Sequence, residues 1–238
     1  KIDTLNEMQL ASLAANKKSG DIILLSATGS GKTLAFLLPI LENIEPANKN
    51  TQALIVVPSR ELAVQIEQVF KRMGTGYKIT STYGGHKREI EENNLVEPPA
   101  LIVGTPGRLC DHIRRGNITI DAISTLVLDE FDKSLELGFL EEIKFIIDSL
   151  KNISRKILTS ATDAEEIPEF IGLKEPERLN FLVPGEKAEG LAIKTVLSND
   201  KDKSDTLFKL LCFLGNRSAI VFCNHREAVE RTSSLLSE

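Results

Sequence analysis

Tryptophan is absent from the 238 residues, tyrosine occurs twice, and aromatics make up 5% of the chain. So few rings argue against base stacking as the main way of holding a nucleic acid. The three cysteines (Cys110, Cys212 and Cys223) are odd in number and show no CxxC spacing. A disulfide scaffold or structural zinc site is therefore not expected, and a reducing cytosol fits. No apolar run approaches the ~18 residues that a bilayer span needs. No charged-then-apolar leader precedes a small-residue cleavage site. A cytoplasmic, monomeric protein with no membrane contact is the expectation. The net charge of −5, from 29 basic and 34 acidic residues, argues against coating a nucleic acid by bulk charge. A local basic groove is still compatible with that balance. At about 150 residues per domain the length allows between one and two domains.

What the chain does have is alternation. Ile22–Leu25, Ala53–Val57, Lys78–Thr82, Ala100–Val103, Thr125–Leu128 and Lys156–Leu158 are short runs rich in Ile, Val and Leu. Longer amphipathic stretches, such as Leu34–Ile44, Glu61–Met73 and Leu140–Leu150, lie between them. Continuous apolar strands separated by helices imply an α/β domain with a mostly parallel sheet wrapped by helices. Ligands of such sheets gather at the carboxyl ends of the strands. Near Pro176–Gly190 the chain becomes rich in Pro, Gly and charge, which reads as an exit strand and then a linker. Domain one is expected over 1–184, the linker over 185–191, and the start of an incomplete second α/β domain over 192–238. That last piece is read as strand Ala192–Leu197, helix Ser204–Leu214, strand Ser218–Cys223 and helix His225–Leu236. Roughly 50 residues hold too little core to be independent.

The strongest local signal is Ser26-Ala27-Thr28-Gly29-Ser30-Gly31-Lys32-Thr33, directly after a strand and opening a helix. A loop that curls its N–H groups around phosphate oxygens needs glycines free to take positive φ. The helix amino terminus adds unsatisfied donors and partial positive charge. Lys32 can reach the β- and γ-phosphates, and the Thr33 hydroxyl can ligand Mg²⁺. The second signal is Leu126-Val127-Leu128-Asp129-Glu130-Phe131-Asp132, three apolar residues that deliver adjacent carboxylates to a strand end. Asp129 can hold Mg²⁺ largely through water, since magnesium takes few protein carboxylates. Glu130 can orient and deprotonate an attacking water. On its own an acidic strand end is usually a solvated helix start. Next to the lysine loop, at one edge of a parallel sheet, it reads as the other half of a nucleotide site.

These segments, with smaller motifs in the same order, resemble a DEAD-box RNA helicase over nearly the whole chain. Ser26–Thr33 resembles motif I, with Ser for the usual leading Ala. Pro58-Ser59-Arg60-Glu61-Leu62-Ala63 resembles PTRELA. Gly84-Gly85 matches the GG pair, Thr105-Pro106-Gly107-Arg108 the TPGR motif, Asp129–Asp132 the DEAD box (as DEFD), and Ser160-Ala161-Thr162 the SAT motif. Ile220–Asn224 resembles the start of motif IV, and Gln9 sits where the family's adenine-reading glutamine would. The resemblance implies a RecA-like P-loop domain using ATP and Mg²⁺, and ATP hydrolysis coupled to local unwinding of RNA. ATP would be held by Gln9, Ala27, Thr28, Gly29, Ser30, Gly31, Lys32 and Thr33, with Lys32, Asp129 and Glu130 catalytic. Asp132, Ser160 and Thr162 would couple nucleotide to RNA. Pro58, Arg60, Gly84, Gly85, Thr105, Pro106, Gly107 and Arg108 would touch the RNA backbone without regard to sequence.

Each small motif also has a local reading. Thr4-x-x-Glu7 and Thr162-x-x-Glu165 are capping boxes, the first of which would leave Gln9 on a solvated helix face. Thr105 is a good N-cap followed by proline at the first helical position, and Ser59 caps likewise. His86, Lys87 and Arg88 extend a basic strip or form an ordinary solvated face. His112 and His225 lack carboxylate or cysteine partners at ligand spacing and receive no role. Phe131 stands where the family has a small alanine, and is expected to alter the link made by Asp132. The family's upstream adenine-stacking aromatic and its motifs V and VI are not found in the chain. Without the arginines of those motifs, worth roughly 10³–10⁵-fold in phosphoryl transfer, the chain alone is expected to be nearly inactive. Two other classes remain open at this point. One is an ATP-gated RNA clamp or assembly scaffold that does not unwind; the other is a P-loop small-molecule kinase, which would leave TPGR and SAT unexplained.

Overall fold

Every expected apolar run of the first domain forms a strand in the computed structural model, which describes residues 4–18, 20–85, 87–163, 167–182, 192–198 and 201–237. The first unit, 1–184, runs α1 (Glu7–Asn16), β1 (Ile22–Leu25), α2 (Lys32–Asn43), β2 (Ala53–Val56), α3 (Arg60–Arg72), β3 (Ile79–Thr82), α4 (Arg88–Leu95) and β4 (Leu101–Gly104). It continues with α5 (Pro106–Arg114), β5 (Thr125–Leu128), α6 (Phe131–Glu136), α7 (Leu140–Ser149), β6 (Arg155–Ser160), a 3-10 turn at Glu169–Ile171, and β7 (Glu177–Asn180). The seven strands form one sheet in the order β3-β4-β2-β5-β6-β1-β7, with every pairing parallel.

Alternation within the strands divides the core into two layers. Ile55, Val103, Val127 and Ile157 face α2 and α3, where Phe36, Ile40, Ile66 and Phe70 are buried. Their neighbours Leu54, Ile102, Leu126 and Leu158 face α5 and α7, where Leu109, Ile143 and Ile146 are buried. Strands covered on both faces need apolar residues at every position, which is why the inner ones read as unbroken Ile/Leu/Val runs. Edge strand β7 instead alternates half-buried and exposed residues. Strand β6 is longer than its apolar run, because pairing with β1 continues to Leu25↔Ser160.

The second unit spans 185–238. Its helices α8 (Ser204–Leu214) and α9 (Arg226–Ser237) form where expected. The strands expected at Ala192–Leu197 and Ser218–Cys223 do not: both segments are irregular and largely exposed. A strand is held by its ladder neighbours, and among the described residues neither segment has one. The linker expected at 185–191 lies outside the described residues. Among the described residues no helix is long and apolar enough to cross a membrane.

One contact fixes α1 against α2. Pro39 lies inside α2 and has no N–H to give to the carbonyl four residues earlier. That carbonyl, Ala35 O, accepts a 2.5 Å hydrogen bond from the fully buried Ser12 hydroxyl of α1. Asn16 of α1 adds bonds to Glu42 and Asn43, and Arg155 donates to the Asn16 and Lys18 carbonyls beyond the helix end. Ser12→Ala removes a buried hydrogen bond to a carbonyl that the proline cannot serve. It is expected to destabilise the unit by about 1–3 kcal/mol, read as a lower urea midpoint at unchanged m-value.

Candidate nucleotide and RNA sites

The sheet order separates two groups of candidate residues along one edge. The carboxyl ends of β5, β6 and β1 carry Asp129–Asp132, Ser160–Thr162 and Ser26–Thr33, while those of β3, β4 and β2 carry Gly84-Gly85, Thr105–Arg108 and Pro58–Arg60.

In the first group the phosphate loop leaves β1 through the Ser26 amide, which donates to Ser160 O at 3.1 Å. Ser26, at the motif's leading position, turns its hydroxyl onto that of Ser30. Gly31 caps α2 with φ 96°, and a Cβ there would come within 2.7 Å of Gln9 Nε2; only glycine satisfies both constraints. Lys32 is buried, and its ammonium donates to Ser26 O at 2.9 Å, closing the loop on itself. The loop is braced by α1, whose Asn6 donates to Ser30 O at 3.0 Å and whose Gln9 donates to Gly31 O at 3.3 Å.

The capping of α1 differs from expectation. Asn6, not Thr4, is the N-cap, in a reciprocal box with Gln9. Gln9 is consequently buried rather than solvated. Asn satisfies the cap as well as Thr does, and Asn6 also donates to Ser30 O of the loop.

Asp129 and Glu130 lie across the same cavity of about 310 Å³, which is lined by Thr28, Gly29, Gly31, Lys32 and Thr33 and, on the α3 side, by Leu62, Gln65 and Val69. The α3 residues were not foreseen; the signal was the helical spacing that follows Ser59. Burial pushes the Asp129 carboxyl up to about 6. The Thr159 hydroxyl and the Lys32 charge pull the other way, and the Glu130 charge adds to the rise. The same Thr159 hydroxyl, donating to Asp129, accepts the Glu130 amide at 3.2 Å. Glu130 is left-handed at φ 47°, a conformation that costs a non-glycine residue of order 1 kcal/mol and turns the chain from β5 into α6. A hydroxyl and a carboxylate are hard oxygen donors of the kind magnesium takes alongside water and phosphate, so Thr33 and Asp129 fit the ion the sequence implies.

The residues expected to couple nucleotide to RNA also meet. Thr162 donates to Asp132 Oδ2 at 2.8 Å, and its amide donates to the Ser160 hydroxyl at 3.0 Å. The second oxygen of Asp132 is buried with no hydrogen bond among the described residues. Phe131 does not prevent this link: its ring is buried in the layer that holds Leu128 and Leu158. Glu165, the other half of the box proposed with Thr162, lies outside the described residues.

In the second group Ser59 caps α3 as expected, accepting from the Leu62 amide at 3.2 Å. Pro106 stands at the first position of α5, but the Thr105 hydroxyl makes no capping bond; its carbonyl takes the Arg108 and Leu109 amides instead. Gly85 is left-handed at φ 84° with open space at its Cβ position, and Gly84 and Gly107 are equally open. Bare backbone of this kind admits close approach of another chain. Arg60 is exposed, its guanidinium 5.1 Å from the Tyr83 ring centroid. Arg88 pairs with Asp111 at 3.2 Å; His86 lies outside the described residues. His112 is not partnerless: it is wholly buried, 2.8 Å from Glu91. Arg108 reaches the same carboxylate at 2.7 Å and its side chain is only 13% exposed. Sequence spacing could not reveal Glu91, because the pairing is made between two helices.

Protonating Asp129 removes the charge that would hold a metal. Magnesium-dependent nucleotide affinity should therefore fall by about fivefold between pH 6 and pH 5, while Asp129→Asn should bind weakly at both; isothermal titration with MgATP checks this.

A family model for the DEAD/DEAH box helicase matches residues 6–170. The ATP-dependent RNA helicase CshA of Limosilactobacillus reuteri is 37% identical over 218 residues, 90% of this chain and 44% of that protein. The ATP-dependent RNA helicase DeaD of Haemophilus influenzae is 30% identical over 241 residues, 99% of this chain and 39% of that protein. The chain thus spans less than half the length of these relatives. A crystal structure titled as a hypothetical ATP-dependent RNA helicase from Sulfolobus tokodaii aligns with a TM-score of 0.67 at 29% identity, over 75% of this chain and 53% of that one. The matched span contains the phosphate loop, the Asp129-Glu130 pair and the Ser160–Thr162 segment on one RecA-like sheet, and the chain belongs to the DEAD/DEAH box helicase family.

Proposed function

We propose that this chain is the ATP-binding part of an RNA helicase, taking up ATP with Mg²⁺ and an RNA backbone and coupling ATP hydrolysis to local duplex unwinding. The observation that carries this reading is the shared cavity of Lys32, Thr33, Asp129 and Glu130. Lys32 exchanges its bond to Ser26 O for the β- and γ-phosphates, and the loop amides at the start of α2 receive their oxygens. Thr33 and Asp129 hold Mg²⁺, which supplies neutralisation of charge on the transferring phosphate. Glu130, fixed by its backbone turn, orients the attacking water and accepts its proton. Gln9, whose amide already touches Gly31, reads the adenine. Asp132, Ser160 and Thr162 pass the change in the loop to the RNA side.

On the other half of the edge, Pro58, Arg60, Gly84, Gly85 and Thr105–Arg108 receive the phosphate backbone through arginine charge and open peptide groups. Such contacts are blind to base identity and weaken with salt. The protein is proposed to work as a cytoplasmic monomer. Residues 192–238 are proposed to begin a second RecA-like domain.

Three measurements test the reading. Lys32→Ala and Asp129→Ala should each weaken MgATP binding by at least about tenfold, the loss of one charge-assisted contact to phosphate. Binding of labelled oligouridylate should be strengthened by a non-hydrolysable ATP analogue and should weaken steeply with salt. Displacement of a short RNA duplex by the complete protein then separates a helicase from a clamp: ATP-tightened RNA binding without displacement refutes unwinding. Phosphorylation of a small acceptor without RNA stimulation refutes the whole assignment.

A further inference from the structure

Glu91 is a carboxylate with no solvent exposure, and burying one ion without full compensation costs several kcal/mol. Among the described residues, three groups converge on it. Oε2 lies 2.7 Å from Arg108 Nε and 2.8 Å from His112 Nε2. Oε1 accepts the Tyr83 amide at 3.1 Å. The His112 ring is itself set by Asn117, whose amide nitrogen donates to His112 Nδ1 at 3.1 Å and to Glu92 Oε1 at 3.3 Å. With Nδ1 accepting, Nε2 is the nitrogen that donates to Glu91. Burial pushes the Glu91 carboxyl up, but the His112 bond, the Tyr83 amide and the Arg108 charge together hold it below its ordinary range.

Two of these three donors belong to the proposed RNA face. Tyr83 immediately precedes Gly84-Gly85 and stacks under Arg60, while Arg108 ends the Thr105–Arg108 turn at the start of α5. The 2.7 Å contact between Arg108 and Glu91 is an ion pair rather than a directed hydrogen bond, so it fixes where the guanidinium lies and leaves the plane of its fork unspecified. We infer that Glu91 is a positioning residue of the RNA-backbone grip: one buried carboxylate anchors the Arg108 guanidinium by an ion pair and the peptide leading into the glycine pair by a hydrogen bond, and so sets the spacing between the two contact points. The inference rests on the RNA reading proposed above. His112 serves it from the far side by sharing Oε2, which keeps the carboxylate from rotating away from Arg108.

The test is a double-mutant cycle on the full chain, with fluorescein-labelled oligouridylate as probe and a non-hydrolysable ATP analogue with Mg²⁺ present. Arg108→Ala and Glu91→Ala should each weaken RNA binding by about tenfold, whereas Glu91→Ala added to Arg108→Ala should weaken it by no more than about twofold further. Glu91→Gln, which loses the charge and sets an NH2 group against a donor, should lose nearly as much affinity as Glu91→Ala. Equal losses from Glu91→Ala in both backgrounds, as general damage to the fold would give, overturn the inference and leave the RNA reading standing. An Arg108→Ala variant with unchanged RNA affinity overturns both. Glu91→Asp keeps the charge and shortens the reach by one methylene, so it reads the same coupling without opening a cavity if Glu91→Ala does not fold. Wild-type RNA affinity in Glu91→Asp, or the same loss with and without Arg108, counts against the positioning role.

Discussion

The arrangement depends on β6 lying between β1 and β5. Parallel pairing on both sides forces its last residues to be shared. The Ser160 carbonyl takes the first amide of the phosphate loop, and the Thr159 hydroxyl bonds both Asp129 and the Glu130 amide. Basic loop and acidic pair therefore keep their separation through the strand that lies between them. That strand then continues directly into Ser160–Thr162, and Thr162 returns to Asp132. The end of β6 is thus tied twice to the Asp129–Asp132 segment, through Thr159 and Thr162, and once to the Ser26–Thr33 loop, through the Ser26 amide.

Two buried acids illustrate how surroundings rather than residue type decide behaviour. Asp129 is pushed up by burial because its partners are a hydroxyl and one charge, opposed by the neighbouring Glu130. Glu91, equally enclosed, is held down because a histidine, an amide and a guanidinium converge on it. A carboxylate left short of donors keeps unused capacity for a cation. One that is saturated with donors has none, and it acts as a fixed anchor for whatever it holds.

Much of the edge was readable from the chain alone because it depends on local pattern. Unbroken Ile/Leu/Val runs imply strands covered on both faces, parallel strands put their exits on one side, and Ser26–Thr33 and Asp129–Asp132 each contain their own chemistry. What escaped was long-range. Glu91 meets His112 and Arg108 across helices, so no spacing rule connects them. The α3 lining of the cavity follows from how a helix lies over the sheet. Asn6 displaced Thr4 as the cap because both residues suit that role and only the docking of α1 chooses between them. The segments Ala192–Leu197 and Ser218–Cys223 have strand composition, but propensity cannot supply ladder partners.

Pro39 ties two distant choices of residue together. By withholding one N–H from α2 it leaves a vacancy on the helix surface that only a small donor from outside can occupy, and Ser12 meets that need. Any ordinary residue in place of the proline would close the helical ladder and strand the serine hydroxyl instead. Lineages that change one of these positions should consequently tend to change the other, which would make the pair a covariation signal for the seating of α1 on α2.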